Sequence, residues 1–122
     1  GSIPNLELRK ELPTFDILAY PNTFEETSCI AVIEALSAGL RVVTSNLGAL
    51  PETTEGWSKM YPYLRDPSLH AQRFADILLE EIELVRAGKL DEQLNQQVEV
   101  YNSRWSWDYR MKEWLQFLDG LF

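Results

Sequence analysis

Residues 29–38 form an almost wholly apolar run, broken only by Glu34 and Ser37 and closed by Gly39. A short segment stands on either side of it: Asp16-Ile17-Leu18-Ala19-Tyr20, ended by Pro21-Asn22, and the β-branched Arg41-Val42-Val43-Thr44-Ser45-Asn46. Brief apolar runs bounded by turn residues suit strands buried in a parallel sheet. The run between them suits a helix that Gly39 stops with a left-handed C-terminal cap. The pattern predicts a strand–helix–strand unit, with the helix buried nearly all round.

The rest of the chain extends that rhythm. Pro51 introduces a short helix within 47–55. Met60-Tyr61-Pro62-Tyr63, within 56–64, makes a third strand that Pro62 places at a sheet edge or strand end. Asp66-Pro67 caps the next helix, with Ala71, Phe74, Ala75, Leu78, Ile82 and Val85 at helical spacing up to Gly88. Asp91 caps another, with Leu94, Val98 and Tyr101 on one face. Ser106 caps the last, striped by Trp107, Met111, Trp114, Leu115 and Leu118. Residues 6–12 form a short amphipathic piece ahead of the first strand. The expected fold is α/β: a three-layer, Rossmann-like half domain of about three parallel strands, followed by C-terminal helices.

A length of 122 residues, 45% of them apolar and 25% charged, is that of one globular domain. Nineteen acidic against 11 basic side chains give a net charge of −8, which argues against nucleic acid or an anionic membrane as the main partner. Cys29 is the single cysteine, so an internal disulfide is excluded, and no run approaches the ~18–20 apolar residues of a membrane-spanning helix. Nothing at the start reads as a signal peptide. The expected setting is cytoplasmic. The opening Gly1-Ser2 reads as a tag remnant, and residues 3–122 are expected to be a piece of a longer protein.

The stretch richest in chemistry is Glu26-Thr27-Ser28-Cys29-Ile30-Ala31-Val32-Ile33-Glu34. Two carboxylates bracket seven residues, one on a loop after a strand and the other inside an apolar helix. A charge there is costly to bury, so Glu34 is expected to face a cleft or a fixed set of donors. With Ser28 as helix cap, the amides of Cys29, Ile30 and Ala31 would point into the cleft at the C-terminal end of the sheet, as an anion site. Glu34 lies six residues beyond the cap, roughly 9 Å along the axis, so the two carboxylates could hold opposite ends of one extended ligand around a central anion.

At these residues the chain resembles the retaining "group 1" (family 4 type) glycosyltransferases of GT-B fold. The resemblance rests on Pro21-Asn22 after the strand, the Glu26 and Glu34 pair as an E-x7-E motif, and the run from Glu34 to Gly39. It continues through residues 41–46, Gly48-Ala49-Leu50-Pro51-Glu52 and the late Ser106-Trp107-Asp108 beside Trp114. The resemblance implies that Glu34 hydrogen-bonds the ribose of a nucleotide diphosphate sugar. It implies that Glu26 sits at the donor sugar hydroxyls in a catalytic, positioning role, with the amides of Thr27, Ser28, Cys29 and Ile30 against the sugar and diphosphate. The family often reads Glu-Gly-x-Gly where this chain has Glu26-Thr27-Ser28-Cys29. Residues 3–122 would then be the second half of the donor domain, inactive alone. The parent would transfer a hexose, with retention, to a sugar or lipid acceptor held by an N-terminal domain. No Asp-x-Asp pair occurs, which fits transfer without a metal, and no cofactor is implied. No lysine or arginine stands between Lys10 and Arg41, so cations for the diphosphate are expected from elsewhere and binding by this chain alone is expected to be weak. The alternative is a naturally short, non-catalytic nucleotide-sugar-binding or assembly module.

Other residues read more plainly. Cys29 suits a small packed position, and His70 a solvated first helical turn. Trp105, Trp107 and Trp114 are expected to pack, and Glu80, Glu81 and Glu83 to form a solvated helix face. The first strand is expected at a sheet edge that either pairs with a second copy of the chain in a homodimer or is covered by the N-terminal segment.

Overall fold

The computed structural model describes residues 2–122. Helix α1 (Asn5–Glu11) runs into a single 3-10 turn (Leu12–Thr14) and then strand β1 (Ile17–Tyr20). Helix α2 (Ile30–Ser37), strand β2 (Arg41–Ser45), helix α3 (Leu50–Thr54) and strand β3 (Lys59–Tyr61) complete the α/β unit. Three helices close the chain: α4 (Pro67–Arg86), α5 (Asp91–Arg104) and α6 (Trp107–Asp119). No helix among the described residues is long and apolar enough to cross a membrane.

The sheet is parallel throughout, in the order β1-β2-β3, with Tyr20 opposite Thr44 and Thr44 opposite Met60. Every residue of the central β2 is buried, because helices lie on both faces. Val42 faces α2 and α5 in one core with Val32, Ala35, Leu36, Leu50 and Tyr101. Val43 faces α4 in a smaller core with Tyr61 and Ile77. This is the expected three-layer arrangement. Gly39 ends α2 at φ +88°, Pro62 follows β3 on the sheet edge, and Asp66 caps α4 by accepting from the Leu69 amide at 2.9 Å. Ser106 caps α6 through the Tyr109 amide.

Several expectations give way. Helix α2 is not buried all round: Ile30 is 70% exposed and Ala31 beside it also faces solvent. The buried side of α4 is His70, Phe74, Ile77, Leu78 and Glu81, about one residue round from the predicted stripe, and Ala71 and Ala75 face solvent. The shift brings a polar pair inside. Glu81 is 1% exposed, and one carboxylate oxygen accepts from Arg41 Nε at 2.6 Å while the other lies 3.6 Å from Lys59 Nζ. Arg41 also donates through Nη1 to the Trp57 carbonyl. Glu81 is therefore a buried ion-pair partner and not part of a solvated face, although Glu80 and Glu83 are exposed. His70 is buried, with Nε2 3.2 Å from the Tyr61 hydroxyl. Trp105 packs as expected, but Trp107 and Trp114 are exposed along α6.

Candidate functional site

The loop from β1 to α2 leaves the sheet at its C-terminal edge, and three neighbours fix its path. Asn22 is buried and bonds both ways to Phe24, its side-chain amide donating to the Phe24 carbonyl at 2.7 Å while its Oδ1 accepts from the Phe24 amide. This is the local turn that an Asn after a strand favours. Ser45, at the end of β2, donates to the Asn22 carbonyl at 3.0 Å. Gly48 comes so close that a Cβ there would lie 2.5 Å from the Glu26 nitrogen, and its φ of +61° also favours glycine. The adjacent Ala49 amide donates to the Glu26 carbonyl at 2.7 Å.

Glu26 is thereby set beside Tyr20, whose hydroxyl donates to its Oε1 at 2.5 Å. That bond, reinforced by burial and by the Cys29 thiol, raises the phenol far above the usual tyrosine range, so Tyr20 stays a donor. Thr44, next to Tyr20 across the sheet, has a fully buried hydroxyl with no hydrogen-bond partner among the described residues. Cys29 is buried, as the packing reading expects.

Glu34 lies on α2 with its side chain mostly shielded. The donors it was expected to need are present, and they come from α1: Asn5 Nδ2 at 3.2 Å and Arg9 Nε at 3.5 Å, both to Oε1. Arg9 lies outside the lysine- and arginine-free interval, so α1 carries a cation to one end of the carboxylate pair. At the head of α2 the expectation fails in detail. The cap is Cys29, in extended conformation and without a side-chain bond, and Ser28 stands one residue outside it. The reason is the Asn22 turn and the Gly48 contact, which set where the chain can enter the helix. Thr27, Ser28 and Ile30 are exposed around that helix end.

The loop residues, the helix end and both carboxylates thus belong to one β1–α2 unit, Glu26 before the helix and Glu34 within it. Sequence reasoning missed the parts that hold Glu26. Tyr20 read only as a strand terminus, Asn22 only as the turn that ends the strand, and Ser45 and Gly48 had no task in holding Glu26; the glycine at position 48, after the second strand, was the available signal. Comparisons with protein-family models, curated proteins and solved structures give no match to this chain.

Proposed function

We propose that this α/β unit is the donor-binding half of a retaining glycosyltransferase, an enzyme moving a hexose from a nucleotide diphosphate sugar to an acceptor hydroxyl. The supporting observation is the fixing of Glu26 by Tyr20, Gly48 and Ala49 at the C-terminal edge of a parallel sheet, where open α/β folds take ligands. In this reading Glu34 accepts from the ribose hydroxyls, exchanging Asn5 and Arg9 for the ligand. The amides at residues 27–30 lie along the sugar and diphosphate, assisted by the positive end of α2.

Glu26 serves as a positioning and electrostatic group. Tyr20 occupies one of its oxygens, and the other remains to accept from a sugar hydroxyl and to favour the positive charge that develops at the anomeric carbon as the diphosphate leaves. Acceptor binding, by a sugar or a lipid hydroxyl, falls to a part of the enzyme outside this chain.

The test is chemical-shift mapping of the isotope-labelled chain with UDP-glucose and with GDP-mannose. Helix-end amides and one arginine are weak counterparts for a diphosphate, so the expected affinity is millimolar. The expected shifts fall on residues 26–30 and 34, and both Glu34→Ala and Glu26→Ala weaken binding about tenfold or more at unchanged fold. No shift at these residues with either ligand, or binding that ignores both substitutions, overturns the reading.

A further inference from the structure

Helix α1 is seven residues long and none of them is buried. An isolated helix shorter than ~12–15 residues is marginal in water, so α1 owes its form to what it leans on. That support is slight. Leu8 is half-buried, and Leu6 is 73% exposed. Among the described residues, α1 makes two polar contacts with the α/β unit, one turn apart on one face and both to a single atom. Asn5 Nδ2 donates to Glu34 Oε1 at 3.2 Å, and Arg9 Nε stands 3.5 Å from the same oxygen. The chain behind α1 is held more firmly. Leu12 packs on the larger core, Pro13 lies in the 3-10 turn, and Thr14 Oγ1 donates to the Glu11 carbonyl at 2.7 Å. A weakly held helix thus joins a fixed pivot, and its polar anchor is the carboxylate assigned to the ligand.

We propose that α1 is a self-inhibitory strap, which occupies Glu34 in the free chain and comes away from it when the ribose hydroxyls of a nucleotide take the carboxylate. The proposal rests on the donor-site reading and adds that the site is closed until the strap leaves. An oxygen of a carboxylate accepts about two hydrogen bonds, and Asn5 and Arg9 already converge on Oε1. A pair of neighbouring hydroxyls needs both oxygens, so it has to displace them. Displacement leaves the fold intact, because α1 buries no side chain and Leu12 keeps its place in the core. One hydrogen bond to a charged group and one exposed ion pair bias the strap towards closure about three- to tenfold. Apparent affinity falls in proportion to the closed fraction. Arg9 is a weak counterpart for a diphosphate for the same reason, since Glu34 already holds it.

The experiment compares the isotope-labelled whole chain with the Asn5→Ala, Arg9→Ala double variant, each titrated with UDP-glucose. The variant is expected to bind about three- to tenfold more tightly. Without ligand, its amides at residues 5–11 are expected to show the fast backbone motion of an unfolded segment, and saturating ligand is expected to move the same amides of the parent towards those shifts. Both substituted side chains are exposed, so the core is untouched, and Lys10→Ala, exposed on the same helix, removes an equal charge and is expected to change nothing. The sign of the effect is decisive, because an arginine that served only the diphosphate would make Arg9→Ala weaken binding. Unchanged or weaker binding by the double variant, or an α1 that stays rigid in it, overturns the strap and leaves the donor reading standing. No binding at residues 26–34 by either protein overturns the donor reading and the strap with it.

Discussion

Glu81 is buried between α4 and the sheet: Arg41 binds one oxygen and the partly exposed Lys59 approaches the other. Removing the carboxylate would leave the Arg41 guanidinium buried beside its remaining Trp57 carbonyl bond. Breaking one side of such a pair typically costs ~3–5 kcal/mol, a large part of the ~5–15 kcal/mol that holds a domain folded. Glu81→Ala is therefore expected to lower the urea midpoint sharply, whereas Arg41→Met with Glu81→Leu recovers much of the loss. A double-variant cycle measured by urea denaturation checks both. The pair also shows where residue-level reading stops. Glu80, Glu81 and Glu83 look alike as three acids on an amphipathic helix. Only the cation opposite, forty residues earlier at the start of β2, distinguishes the middle one. His70 was hidden the same way, since its burial depends on Tyr61 across the sheet and helix. The placement of Glu26 before a helix and of Glu34 within it was legible because it rests on local order along the chain.

At the scale of elements, the predicted strands and helices all form, since runs of apolar residues and their boundary residues are local signals, although Asp91 does not cap α5: the helix starts from Leu90 without a side-chain cap, and Asp91 is its first residue. Helix faces were less legible. The α4 stripe is displaced because the helix turns a histidine and a glutamate inward, against their usual hydropathy. For α5, Tyr101 was expected on the packing face, and its hydroxyl does donate to the Thr53 carbonyl at 2.7 Å. The second anchor is Gln97, whose side-chain amide donates to the carbonyls of Leu36 and Leu40, both at 3.0 Å, and so ties α5 across the end of α2. A glutamine gives no hint of such a place from spacing. Gln97→Leu is expected to cost roughly 1–3 kcal/mol, the penalty for buried carbonyls losing their donor. Thermal unfolding of the variant reads that loss directly. The α6 stripe was predicted correctly as a stripe and wrongly as core, because periodicity identifies an apolar face without saying what lies against it.

The whole molecule carries a sensitivity to alkali built from three of its five tyrosines. Burial pushes Tyr61 up to about 12, burial with nearby Glu55 raises Tyr101 further, and the bond to Glu26 raises Tyr20. A phenol that holds its proton more tightly when folded stabilises the fold fully below its unfolded value, 10.0. That contribution is lost as pH climbs through the folded values. Stability is thus expected to fall steadily above pH 10, with tyrosinate absorbance from these three rings appearing together with the loss of circular dichroism. Tyrosinate signal from all five rings in a chain that is still folded would contradict it. The loop between β1 and α2 has a consequence of a different kind. Asn22, Ser45, Gly48 and Ala49 hold its backbone before any ligand arrives. Ordering a loose loop takes about 1–2 kcal/mol per residue, and here that entropy is lost at folding and not at association. Any group that came to lie against Glu26 would therefore meet backbone already held in place.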